Sequence, residues 1–355
     1  MNGLRSIAYT STRIFKLEQE HIFRKAWLPI SVTQDLANRR TPFELPDRSF
    51  FLQGGKAFVN SCTHRLTRLV HEQEDATNVV RCRYHNWCFK DGVLVKAPGL
   101  SQQPTCELNL PKLPATTVGN IQYVMLTPTS EEPCLPEFGI HAELGKFSDF
   151  EPYWACKYEV SANWKHIVEN FLDYLHVPAI HPSLAPSSKI DDHYPSPSVG
   201  KHIAFHTHPI RPSKKNPLTS LHVPDGRLCA DKLYFHVLFP NCFLFTHPTH
   251  MFAVFVDPVS PGTSVERAFL LLNKDTKERT DKGTLDQLAT FYDDVNKEDI
   301  SVVEHCQAGS YGRNRYNKIL LPTDKYLYAF QEMYRAALPS DRSTKQNELQ
   351  EVYLP

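Results

Sequence analysis

No uncharged apolar run approaches the roughly 18 residues that a membrane-spanning helix needs, and the opening stretch MNGLRSIAYTSTRIF lacks the apolar segment of a secretory signal. Net charge is missing too. The 39 basic and 39 acidic side chains cancel over 355 residues, leaving no charged field aimed at nucleic acid or an anionic membrane. Glycine is scarce, 14 in all, and no G-x-G-x-x-G follows a strand-like run, so a bound NAD(P)H or flavin is not expected. The nine cysteines are odd in number and thinly spread, unlike a secreted disulfide framework. These absences point to a cytoplasmic protein of about two domains that binds neither nucleic acid nor membrane.

The pattern that is present divides the chain. Residues Ser11 to Trp27 read as a helix capped by Ser11 or Thr12. From about Phe43 to Leu126, short β-rich runs (Ser49–Leu52, Ala57–Asn60, Val93–Lys96, Ile121–Leu126) alternate with turn residues, and Asp91-Gly92 signals a tight hairpin. A loop from Thr127 to Pro136 closes this module. Asn163 can cap a helix from Trp164 to about Leu175, followed by a surface loop over Pro182 to Ser198. Aromatic and β-branched runs between Lys232 and Leu272 suit several antiparallel strands. A long helix from about Leu285 to Ala308 should stop at Gly309, and another helix is expected over Lys325 to Ala337. The fold class is therefore α+β, a β module inserted in a mixed body.

Two constellations carry chemistry. Cys62-Thr-His64, seventeen residues, then Cys82-Arg-Tyr-His85 gives C-x-H…C-x-x-H. A Cys₂His₂ zinc site is the plain reading, but zinc modules usually pair like with like, whereas each loop here offers one Cys and one His. That mixed pairing suits a Rieske [2Fe–2S] centre, with two Cys on one iron and two His on the other. Cys106, Cys134, Cys156, Cys229, Cys242 and Cys306 stand alone and are expected to be small buried hydrophobes.

The second constellation contains His176 and His181, with Asp173 one turn before the first. Such a pair needs a carboxylate. In the long helix, Leu285, Leu288, Tyr292, Val295, Val302 and Cys306 mark one apolar face, and the position missing from the series is Asp299. A carboxylate there is costly unless ion-paired, with Arg267 or Lys165 as partners, or metal-bound. Ligation would complete a 2-His-1-carboxylate face for Fe(II). Glu298, Asp293, Asp294 and Glu304 fall off the stripe and are expected in solvent.

The segments CTHR, CRYHNWCF, NWKHIVENFLDYLHVPAIHP and NKEDISVVEHCQAG resemble the cluster and catalytic-iron motifs of Rieske-type non-haem iron oxygenase large subunits. The likeness spans nearly the whole chain, and Cys88 has no companion cysteine on the first loop such as the respiratory Rieske branch carries. Leu66, Arg83 and Asn86 depart from the usual loop pattern. The resemblance implies a Rieske domain over 38–140, inserted in a helix-grip-like catalytic domain built from 1–37 and 141–355, with an antiparallel sheet and flanking helices. It implies that Cys62, His64, Cys82 and His85 hold the cluster, and that His176, His181 and Asp299 hold a mononuclear Fe(II). It further implies that Asp173 links that iron to the cluster of a neighbouring subunit. Asn170, one turn earlier, either approaches the iron or is an ordinary polar helix residue.

By the same resemblance the chain is expected to be a terminal oxygenase using O₂. Its electrons come from NAD(P)H through a separate reductase, with or without a ferredoxin, and its expected assembly is a head-to-tail homotrimer. The likeness is greatest to the choline, glycine betaine and carnitine branch, where hydroxylating an N-methyl carbon leads to demethylation of a small N-methylated or quaternary amine. Tyr234, Phe235, Phe243, Phe245 and Phe252 could offer a cation aromatic faces, or be ordinary core; His236, His247 and His250 are pocket groups or plain strand residues. Aromatic-ring hydroxylation, natural-product tailoring and a non-catalytic electron carrier are the competing readings.

Overall fold

The computed structural model describes residues 2–32, 39–45, 48–101, 107–127, 146–184, 193–196, 201–207, 217–224, 232–312 and 317–339. The chain clusters into two compact units, Arg24–Pro133 and the pair Met1–Phe23 with Cys134–Pro355. The β module is thus inserted between an N-terminal segment and the larger mixed unit. Among the described residues no helix is long and apolar enough to cross a membrane.

The smaller unit is almost all β. A five-stranded sheet runs, in spatial order, Lys112–Leu113, Lys56–Val59, Arg48–Gln53, Arg39–Leu45 and Glu74–Asp75, beside two three-stranded sheets. Its core is a cluster of Phe51, Phe58, Val70, Trp87 and Phe89 that also encloses Cys62 and Cys82. Asp91 and Gly92 both have positive φ, 50° and 81°, the geometry of a primed hairpin turn. A Cβ on Gly92 would sit 2.5 Å from the Phe58 ring, so the position needs glycine for space as well as conformation.

The larger unit is built on a seven-stranded antiparallel sheet, ordered Phe150–Val160, Thr263–Asn273, His250–Ser260, Cys242–Thr246, Leu233–Leu238, His202–Thr207 and His193–Pro195. The helix Trp164–Leu172 starts where the Asn163 side chain accepts from the Lys165 backbone N–H, and ends at Asp173. Its buried end is fixed by an ion pair, Lys165 Nζ to Glu18 Oε1 at 2.5 Å, with Trp164 Nε1 donating to the other Glu18 oxygen. Removing one partner of such a fully buried pair typically costs about 3–5 kcal/mol. Tyr153, Tyr158 and the backbone of Ser161 donate to Asp286, Asp293 and Glu304, pinning the long helix along the first strand of the sheet.

Several expected bounds move. The helix expected over Ser11 to Trp27 is Thr12–Glu18 followed by a π-helical turn, Gln19–Phe23, after a one-turn helix Ile7–Thr10, and Trp27 opens a strand rather than closing a helix. The long helix runs Lys282–Gly312, through Gly309. Ser310 bonds to the Cys306 carbonyl and to His166, and these contacts outweigh the roughly 1 kcal/mol that glycine costs inside a helix. The buried stripe also drifts, because 3.6 residues per turn carries it from Leu285, Leu288 and Tyr292 to Val303, Gln307 and Ser310. Cys306 is consequently exposed and Cys156 half-buried, against the expectation for lone cysteines, while Cys242 is buried. Cys106, Cys134, Cys229 and most of the loops from 127 to 136 and 182 to 198 lie outside the described residues.

Candidate metal centres

The two cysteine–histidine loops share one hydrogen-bonding pattern. Cys62 N donates to Thr67 O and Leu66 N to Cys62 O, both at 2.8 Å; Cys82 N donates to Trp87 O at 2.8 Å and Asn86 N to Cys82 O at 3.0 Å. Each loop turns through a left-handed residue four places after its cysteine, Leu66 at φ 57° and Asn86 at φ 58°. Glycine is the usual occupant of such a position, which is why these departures leave the loop paths intact only at some conformational cost.

The cysteines point inward and the histidines outward. Cys62 and Cys82 are buried, His64 is exposed and His85 partly so. Burial pushes the Cys62 thiol up, with Cys82 hydrogen-bonded to it adding to the rise. Partial desolvation and the nearby His64 and Arg65 hold His85 below its ordinary value, which favours the neutral ligand form. The His64 and His85 rings lie 4.6 Å apart, and Trp87 stacks on His64 at 4.6 Å, nearly parallel at 7°. Among the described residues one set of three ligand atoms lies close enough for a single ion, and this quartet is not it. That spacing fits ligands shared between two irons better than one tetrahedral zinc.

The single-ion set is His176, His181 and Asp299, whose ligand atoms all lie within 4.8 Å of one another. His176 and His181 flank a one-turn helix, Val177–Ile180, with Pro178 inside its first turn, where the missing N–H is harmless. Asp299 comes from the long helix. Its Oδ1 is 2.9 Å from His181 Nε2 and 3.2 Å from His176 Nε2. Burial raises the Asp299 carboxyl, but hydrogen bonds and charge from both imidazoles outweigh it and hold the pKa at about 2. Burial lowers His176, yet Asp173 and Asp299 bring it up to about 9. The negative field that favours a proton here favours a divalent cation in its place. The alternative partners for Asp299 are committed elsewhere, Arg267 to Asp257 and Lys165 to Glu18.

Glu298 corrects the sequence reading. Rather than lying in solvent, this half-exposed side chain accepts from His181 Nδ1 at 2.7 Å, which turns Nε2 toward Asp299 and sets its tautomer for ligation. Asp173 Oδ2 is 3.6 Å from His176 Nδ1, beyond a hydrogen bond, while its Oδ1 accepts from Leu175 N at 2.8 Å. Asn170 reaches the same cavity.

That cavity, about 140 Å³, is bounded by Phe171, Phe235, Phe243, Phe245, Phe252 and Tyr292, and by the three candidate ligands. Tyr234 faces the other side of its strand, where its ring lies tilted against His206 at 5.4 Å. His236 bonds to His202 and Thr246 within the sheet, whereas His250 bonds to Thr249 and, across to the long helix, to Tyr292 on the cavity wall; His247 bonds to Thr249. Glu266, which sequence reasoning missed, also lines the cavity.

Residues 147–340 match the family described as Ring hydroxylating alpha subunit (catalytic domain), and residues 26–114 match the Rieske [2Fe-2S] domain. The carnitine monooxygenase oxygenase subunit of Acinetobacter pittii is 25% identical over 338 residues, covering 90% of this chain and 88% of that one. The glycine betaine monooxygenase oxygenase subunit of Chromohalobacter salexigens is 27% identical over 196 residues, 50% of this chain and 42% of its own. In overall fold the chain is similar to the quaternary ammonium Rieske monooxygenase CntA, with TM-score 0.81, 21% identity and 95% and 96% of the two chains covered. Naphthalene 1,2-dioxygenase from a Rhodococcus species has TM-score 0.72 and 14% identity, with 94% of each chain covered.

Proposed function

The chain belongs to the ring-hydroxylating alpha-subunit family and carries a Rieske domain ahead of its catalytic domain, and on that premise we propose that it oxidises an N-methyl carbon of a small quaternary or N-methylated amine. One observation carries the reading: His176, His181 and Asp299 converge on the wall of a cavity walled by phenylalanines. When bound, a cluster held by Cys62, His64, Cys82 and His85 supplies electrons singly, and an iron held by His176, His181 and Asp299 supplies O₂ activation.

The protein's own part is to hold and to exclude. Glu298 fixes His181, Asp173 braces the His176 turn, and the phenylalanine walls keep water from the methyl group being oxidised. The reaction consumes O₂, two electrons and two protons. One oxygen atom enters a C–H bond to give N–CH₂OH, and the other leaves as water. The hydroxymethyl group then breaks its C–N bond, releasing formaldehyde and the demethylated amine. A non-catalytic carrier would have no use for this second ligand set.

The electrons are assigned to a separate NAD(P)H reductase, with or without a ferredoxin. The assembly is assigned as a cytoplasmic homotrimer in which the cluster of one copy serves the iron of the next through Asp173. The test is turnover with a surrogate reductase across N-methylated amines and aromatic acids. Formaldehyde released in step with amine and O₂ consumed supports the reading; ring-hydroxylated product from the acids alone overturns the substrate class.

A further inference from the structure

Glu266 is the cavity group that the oxidation chemistry leaves unused. It lies on the strand Thr263–Asn273, on the face that reads Ser264, Glu266, Ala268, Leu270, Leu272, and is 3% exposed. Its neighbours across the sheet are Tyr158 on one side and Val256 on the other, and Val254 and Phe252 continue the Val256 row into the cavity. A carboxylate on such a row is costly without a partner. Its Oε2 accepts a 2.8 Å hydrogen bond from Asn296 Nδ2, and among the described residues its Oε1 takes none. Asn296 sits one turn before Asp299 on the long helix, so the carboxylate is held beside the proposed iron site. The adjacent Arg267 turns to the other face, where it pairs with Asp257. Burial, aided by the Asp299 charge, raises Glu266 to about 7 even though the Asn296 bond opposes it.

We propose that Glu266 is the specificity-determining residue that seats the positively charged nitrogen of the substrate, with the faces of Phe243, Phe245 and Phe252 enclosing its methyl groups. This rests on the oxygenase reading and deepens it. Aromatic faces attract a cation most strongly when it is desolvated, and a buried carboxylate supplies the charge that a neutral ring has no use for. The cavity, at about 140 Å³, is near the roughly 150 Å³ that accommodates a benzene ring. A trimethylammonium head is of that size.

The test is equilibrium binding to the iron-loaded protein of choline and of 3,3-dimethylbutan-1-ol, its neutral carbon isostere. The wild-type chain should prefer the cation by 30-fold or more. Glu266→Gln should lose at least tenfold in choline affinity and little for the alcohol, with iron content and visible spectrum unchanged. Glu266→Asp, which keeps the charge one methylene further back, should retain the preference at lower affinity. Equal affinities in the wild type, or an unchanged ratio in Glu266→Gln, overturns the assignment. Should the Gln variant not fold, the wild-type ratio and the Asp variant decide. Failure of the oxygenase reading shows separately, as missing iron.

Discussion

Leu66 and Asn86 sit four residues after Cys62 and Cys82 and share one backbone conformation, φ 57° and 58°. Asparagine tolerates the left-handed region, whereas a leucine there costs roughly 1–2 kcal/mol. Leu66 is 79% exposed, so its side chain recovers little by packing. Leu66→Gly should therefore stabilise the first loop by about 0.5–1 kcal/mol, after allowing for glycine's extra unfolded freedom. Thermal loss of the cluster's visible absorption should shift upward; a downward shift would show that the leucine makes a contact worth more than its strain.

The hydrogen bond from His181 Nδ1 to Glu298 predicts a metal-affinity effect. Glu298→Ala should weaken iron binding by about 10–100-fold and leave the visible spectrum untouched. Chelator competition measures this. Unchanged iron affinity would mean that Glu298 rests against the histidine without orienting it.

Asp173→Ala should retain both metal centres and slow steady-state turnover at least tenfold. Iron analysis together with rates under a surrogate reductase checks it. Normal turnover would remove the electron-transfer role assigned to this residue.

The two halves of the chain differ in how much of fold and site could be read from sequence. The ligand loops were readable because Cys and His at short spacing are chemically rare, and the Asp91-Gly92 turn because positive φ has few occupants. Asp299 stood out as the acid on an apolar stripe. Applied to the strand Thr263–Asn273, the same logic would have found Glu266, among Ala268, Leu270 and Leu272 on alternate positions. It was hidden because Arg267 and Glu266 together look like an ordinary charged pair, and only the sheet shows that they face opposite sides. Glu298 and the exposure of Cys306 depend on how the long helix rotates against its neighbours, which a fixed repeat does not carry. Ser310, tied to His166, likewise overrode the stop expected at Gly309.

Glu266 also predicts a pH-dependent stability. Its folded pKa, about 7, lies above the ordinary value of 4.5. Its contribution is therefore fully present below about 4.5 and lost as pH rises through about 7. Glu266→Gln should gain stability over the wild type as pH goes from 5 to 8, by roughly 3 kcal/mol at most, since one pKa unit is about 1.4 kcal/mol. Thermal melts of both chains across that range measure it. A Tm difference that stays flat would contradict the burial that raises this carboxyl.

The most direct measurement is iron and acid-labile sulfide per chain in the wild type and in Asp299→Ala. Wild type should carry about three irons and two sulfides, and Asp299→Ala about two irons with both sulfides and the visible spectrum intact. Three irons retained in the variant, or a wild type without sulfide, would contradict the assignment of two separate iron sites to this chain.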